Sequence, residues 1–304
     1  MKKLLLTTAL VTGFGISAAS AASVNSALFG GFQQLSDQSA ERVIKGASNT
    51  GNSCGPNNDQ DCTSFEKIIE VGDILRGILN IETTEKAPFP QNQIGSNGVN
   101  ELTALFEVEI TGKEAFNGVT CGTAVCFTFG VSPTFKTEVE GYGWADGTGA
   151  TIAFFEDSTI DFNRATIAGG EASVTGGDLF WLFGFKDADD FWKASVSTDD
   201  ISLIGAIPSP GNGGLFNIGA SLLDRVNGRD LLEVDCLSTV TGAIISVNAC
   251  GSGSLLGTGG SGTEFDSFNN VDFTVNAVPE PATLGLLGLG LMGIGFAARR
   301  RKQS

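Results

Sequence analysis

Between Leu102 and Ile110 the chain alternates with period two. Leu102, Ala104, Phe106, Val108 and Ile110 are apolar, and Thr103, Leu105, Glu107 and Glu109 stand between them. Successive side chains of an extended chain point to opposite faces, so this pattern specifies a half-buried strand. Val271, Phe273 and Val275 alternate with Asp272 and Thr274 in the same way. Further strands are expected at Phe65–Val71 and Ile74–Thr83, hinged at Gly72-Asp73, and at Phe127-Thr128-Phe129, Phe135–Glu140, Thr151–Phe155, Leu179–Phe185, Ala194–Thr198 and Ile201–Ile207. Gly and Asn clusters separate them at the spacing of an all-β domain, and the 22 Phe suit pleated, half-buried surfaces. Segments apolar on both faces, such as Leu179–Phe185, favour a β-sandwich of jelly-roll type over the alternative, a closed up-and-down barrel. One short soluble helix is expected at the N-terminal end, over Val24–Gly46, with Leu28, Phe32 and Leu35 on one face. Two extended segments broken at Gly30-Gly31 are the other reading of that stretch.

The two ends of the chain have a different character. Met1-Lys2-Lys3 is a basic start, Leu4–Ile16 an apolar run of thirteen residues, and Ser17–Ala22 a set of small residues. Together they form a Sec-type signal peptide, residues 1–22, with cleavage expected after Ala22 or Ala21. At the other end, Pro279-Glu280-Pro281 precedes the uncharged stretch Ala282–Ala298, and Arg299, Arg300, Arg301 and Lys302 follow it. A helix over 282–298 is about 26 Å long, close to the roughly 30 Å needed to cross a bilayer core. The cations then stop it on the cytoplasmic side, and the two prolines hold Glu280 extended on the exported side.

The three-part order of residues 278–304 resembles the PEP-CTERM sorting signal of Gram-negative bacteria. The resemblance is confined to about 25 residues. It implies recognition and cleavage near Pro279-Glu280-Pro281 by an exosortase, an integral-membrane cysteine transpeptidase-like enzyme. The chain would be that enzyme's substrate, released to the cell surface or to the exopolysaccharide matrix of a biofilm after transient anchoring in the inner membrane. The Sec translocon and the exosortase are thus the expected partners during export, with exopolysaccharide a candidate partner afterwards.

Residues 23–277 are the exported domain. Of 18 Lys and Arg, six lie in the two signals; of 34 Asp and Glu, only Glu280 does, so this domain carries 12 positive and 33 negative side chains, a net −21. Such a field repels nucleic acid, and none is expected as a partner. The cysteines are Cys54, Cys62, Cys121, Cys126, Cys236 and Cys250. An even number in an oxidising compartment reads as disulfides, and proximity in sequence favours 54–62, 121–126 and 236–250, the last across a hairpin turning at Thr241-Gly242.

Candidate chemistry is sparse. The chain has no His, which removes His-dependent triads and imidazole ligands. Ser64-Phe65-Glu66-Lys67 spells S-x-x-K without its companion motifs. Glu107 with Glu109, and Glu138 with Glu140, are carboxylate pairs of the kind a glycoside hydrolase needs, although solvated sheet faces account for them equally. Asp187, Asp189 and Asp190 are candidate calcium ligands; no other cofactor is expected. The aromatic residues near them, Trp181, Phe185, Phe191 and Trp192, with Tyr142 and Trp144 elsewhere, form either a sugar-stacking platform or core. The expectation is a non-enzymatic surface or matrix protein of structural or adhesive role, with a carbohydrate-binding module and an extracellular glycoside hydrolase as alternatives.

Overall fold

In the computed structural model, the structure describes residues 23–28, 31–46, 68–86, 89–96, 99–118, 121, 125–200, 214–238, 242–255 and 263–279. A 3-10 turn at Val24–Ser26 leads into strand β1 (Gly31–Ile44). There follow β2 (Ile74–Lys86), β3 (Phe89–Gln93), β4 (Glu101–Ala115), β5 (Val125–Val131), helix α1 (Phe135–Tyr142), β6 (Ala150–Asp157) and helix α2 (Ile167–Thr175). The remainder is strand: β7 (Asp178–Gly184), β8 (Phe191–Val196), β9 (Gly214–Arg225), β10 (Leu231–Leu232), β11 (Val234–Leu237), β12 (Ile244–Val247), β13 (Ala249–Leu255) and β14 (Ser267–Ala277).

The main sheet closes on itself. Its neighbours run β2-β1-β14-β13-β9-β7-β6-β4, and β4 returns to β2 through a ladder from Ile74↔Glu109 to Ile81↔Leu102. The result is an eight-stranded antiparallel barrel in place of the expected sandwich. Part of its wall is forked. One edge of β4 pairs with β2, while its other edge pairs with β6 over residues 101–106 and with β5 over 108–115. Strand β9 mirrors this, pairing with β8 over 214–219 and with β7 over 221–225. The branches β6-β7 and β5-β8 thus lie end to end, and either path round the barrel counts eight strands. Closure leaves the ring without free edges.

The sandwich was suggested by strands apolar on both faces, and the barrel accounts for them differently. Trp181 and Phe183 of β7 point inward, but Leu182 belongs to a second buried cluster with Ile78, Leu105, Phe155, Phe135, Val139 and Val174. Helices α1 and α2 cover the outside of the wall there, so the outer face is dry as well. Residues 135–140 are helix α1 and not a strand. Phe135 and Val139, one turn apart, are its buried residues, and Gly143 ends it with φ 110°, a left-handed conformation suited to glycine. Helix α2 went unpredicted because Ile-Ala-Gly-Gly is a poor helix former. Its Thr166 caps the Gly169 amide, and Gly170 lies so close to β2 that a Cβ would come within 2.7 Å of Ile78.

The expected helix over Val24–Gly46 is also corrected: after the 3-10 turn this stretch is the long strand β1. Its inward positions read Gln33, Leu35, Asp37, Ser39, Glu41 and Val43, all buried. The polar members break the apolar alternation that marks a strand in sequence. Inside the barrel, large and small residues face each other. Phe273 opposes Gly251 and Phe216 opposes Gly253 in register, and a Cβ on either glycine would lie within 3 Å of the facing ring. This complementarity fills an eight-stranded interior.

Candidate functional site

The barrel interior is not wholly apolar. Strands β1 and β14 pair from Gly31↔Ala277 to Glu41↔Ser267, and their facing inward residues form a polar stripe along one wall. The β1–β14 ladder skips Asp37 and Gln38, and there Asp37 Oδ1 accepts the Val271 amide at 2.6 Å. Further along, the Ser267 hydroxyl donates to Glu41 Oε2 at 3.0 Å and the Ser39 hydroxyl to the Asn269 carbonyl at 3.3 Å. Three acceptors in this stripe are buried without a hydrogen-bond partner: Asp37 Oδ2, Glu41 Oε1 and Asn269 Oδ1. Burial pushes Glu41 up to about 8, against the pull of the Ser39, Ser267 and Asn269 side chains and the charge of Arg164. Burial likewise raises Asp37 well above the carboxylate range, the Val271 amide opposing it and the negative charge of Glu41 adding to it.

Ser39, Glu41, Ser267 and Asn269 line one side of a cavity of about 50 Å³. Phe106, Phe129, Trp192, Phe216 and Phe273 line the rest together with aliphatic side chains. Phe106 and Phe129 both pack on Trp192, with ring centroids 5.4 and 5.9 Å away. A carboxylate and an amide oxygen facing aromatic walls can accept hydrogen bonds from a small guest and offer ring faces to it. None of these four polar residues was singled out in sequence. The signal was available, since the Val271-Phe273-Val275 alternation extends backwards through Asn269 to Ser267.

A second constellation lies outside the wall, under the helices. Arg76 of β2 reaches Glu107 of β4 at 2.6 Å, both oxygens of Glu138 on α1 at 2.6 Å, and Glu171 on α2 at 2.8 Å. Arg42 also binds Glu171 at 3.0 Å, and Tyr142 donates to Glu138 at 2.9 Å. Ser132 and Thr134 donate to the remaining oxygen of Glu107. Burial raises the Glu138 carboxyl, but the hydrogen bond and charge of Arg76 outweigh it and hold the group below its ordinary range. This arrangement fastens both helices to the barrel.

The sequence-predicted residues fall as follows. Glu107 is engaged by Arg76, so it is not half of a free carboxylate pair with Glu109. Glu138 and Glu140 sit on a helix, where residues two apart point away from each other. Trp181, Trp192 and Trp144 are all buried, and the Trp181 indole donates to the Arg229 carbonyl at 2.7 Å. They are core residues and offer no surface platform. In the loop before β8, Asp190 accepts from the Lys186 and Asp187 amides and from Ser221, and Asp187 accepts from the Asp189 amide. Their oxygens shape the turn, and among the described residues no three His, Cys, Asp or Glu side chains gather to hold a metal ion.

Disulfides join Cys121 to Cys126 and Cys236 to Cys250 as expected. The second does not cross the β11–β12 hairpin, where Cys236 faces Ile245; it ties that hairpin to barrel strand β13. Cys54 and Cys62, Ala21 and Ala22, Ser64–Lys67, Ile201–Ile207, Glu280, Pro281 and the segment through Arg299, Arg300, Arg301 and Lys302 lie outside the described residues. Among the described residues no helix is long and apolar enough to cross a membrane. Strand β14 ends at Ala277, fully buried, and the Val278 amide donates to the Asp230 carbonyl at 2.8 Å.

Against known protein families, residues 277–302 match the PEP-CTERM protein-sorting motif. The match begins on the last residue of the barrel's final strand. Among curated proteins, none matches the chain.

Proposed function

We propose that this is an exported protein whose barrel is delivered to the cell surface or the exopolysaccharide matrix after an exosortase cuts near Pro279-Glu280-Pro281. The Sec route carries it across, and residues 282–298 hold it in the inner membrane until the cut. One observation carries the reading: the sorting motif starts where the β14 ladder stops, so the segment to be cut lies beyond the folded wall. In support, the outward positions of β1 and β14 include Gln34, Ser36, Gln38, Asn270, Asp272 and Thr274, a wall suited to water. Two disulfides suit an oxidising destination.

The role there is structural or adhesive, and the protein is not an enzyme. This agrees with carboxylates that are bound to Arg76 or turned to loop amides. The carbohydrate-binding alternative drew on Trp144, Trp181 and Trp192, which lie in the core. Replacing Glu280 with Ala tests the sorting reading. Full-length precursor should accumulate in the membrane fraction, and release at the unchanged rate and size would refute exosortase processing.

A further inference from the structure

We propose that the barrel interior is a binding site for a small organic cation, a primary ammonium of a few heavy atoms seated between Glu41 and Asn269 under the ring of Trp192. Four observations lead there. Glu41 Oε1 and Asn269 Oδ1 are both buried, both line the cavity and both lack a donor. The two hydroxyls beside them are already spent, Ser267 on Glu41 Oε2 and Ser39 on a main-chain carbonyl. Once Glu41 is ionised, above about 8, the wall lacks a positive charge, and among the described residues no Lys or Arg lines the cavity to provide one. Unpaired buried acceptors are costly, so a guest supplying two or three N–H groups recovers that loss.

The opposite wall favours charge as well as hydrogen bonding. Phe106, Phe129 and Trp192 pack together there, and aromatic faces attract an ammonium, most strongly where water is excluded. Size sets the upper limit. A water needs roughly 10–15 Å³ of such space, so about 50 Å³ admits only a short-chain amine. The site is independent of how the protein is sorted, and its test does not depend on cleavage.

The experiment uses the purified full-length chain in a non-ionic detergent, equilibrated with n-propylammonium, 1-propanol or propionate at pH 8.5 and read by calorimetric titration and thermal unfolding. Propylammonium should bind saturably and raise the melting temperature; the neutral and anionic isosteres should bind at least tenfold more weakly. Glu41→Gln should lower the affinity for propylammonium at least tenfold. If that variant does not fold, Ala194→Val, which fills the same cavity without touching the polar stripe, should abolish binding. Equal binding of all three probes, unchanged affinity in both variants, or no saturable binding of any probe would overturn the proposal.

Discussion

Two groups of carboxylates on this barrel show how much a single cation decides. Outside the wall, Glu107, Glu138 and Glu171 converge on Arg76, and Glu138 stays ionised below its ordinary range. Inside, Asp37 and Glu41 lie on one strand with hydroxyl, amide and backbone partners only, and burial lifts both. The chemistry of the groups is the same, and Glu107 is nearly as far removed from water as Asp37 and Glu41, while Glu138 and Glu171 stay partly exposed. What differs is whether a positive charge was removed from water with them.

The pH dependence of stability follows with opposite sign at the two places. Glu138, lowered, contributes stability that is present above the ordinary carboxylate range and is lost as pH falls through its folded value. Glu41, raised, contributes stability that is complete below its ordinary 4.5 and is lost as pH rises through about 8. The groups acting on Glu41 are Asp37 and Ser39 on its own strand, Ser267 and Asn269 on β14, and Arg164 before α2.

The largest expected effect breaks the outer group. Arg76→Met should cost about 3 kcal/mol, because it leaves the buried Glu107 and the partly buried Glu138 and Glu171 without their shared cation. Urea unfolding at pH 7 reads this; a loss below about 1 kcal/mol would mean that the helices hold without the clamp. An uncharged control comes next. Replacing Cys236 and Cys250 together with Ser should cost up to about 3 kcal/mol by releasing a short loop. The loss should be the same at pH 5 and pH 8, which separates covalent from electrostatic stabilisation; a pH-dependent loss would blur the comparison. The smallest effect sharpens the inner group. Glu41→Gln should flatten the decline in melting temperature between pH 5 and 8 and raise it by a few degrees at pH 8.5. An unchanged slope would place that decline in other groups.

Much of this architecture was legible from side-chain alternation. Strands β4 and β14 were plain because Leu102–Ile110 and Val271–Val275 each present an apolar face in alternation. Strand β1 was not, since Asp37, Ser39 and Glu41 occupy core positions and mask the period of two. The same three residues are why the candidate site was missed: buried polar groups look like surface in sequence. Barrel and sandwich could not be told apart from Leu179–Phe185, whose outer face is covered by elements from elsewhere in the chain. Helix α1 was misread because Phe135, Thr137 and Val139 also fit alternation. The terminal sorting motif was readable because it lies in linear order, which folding does not alter.

Strand β14 sits between β1 and β13, so the first and last long strands of the barrel are zipped to each other. A chain made from its N-terminus thus keeps two raw edges until Ser267–Ala277 arrives. The ring is a belt whose buckle is made last, and any truncation upstream of residue 267 leaves β1 and β13 open to pairing with a neighbour.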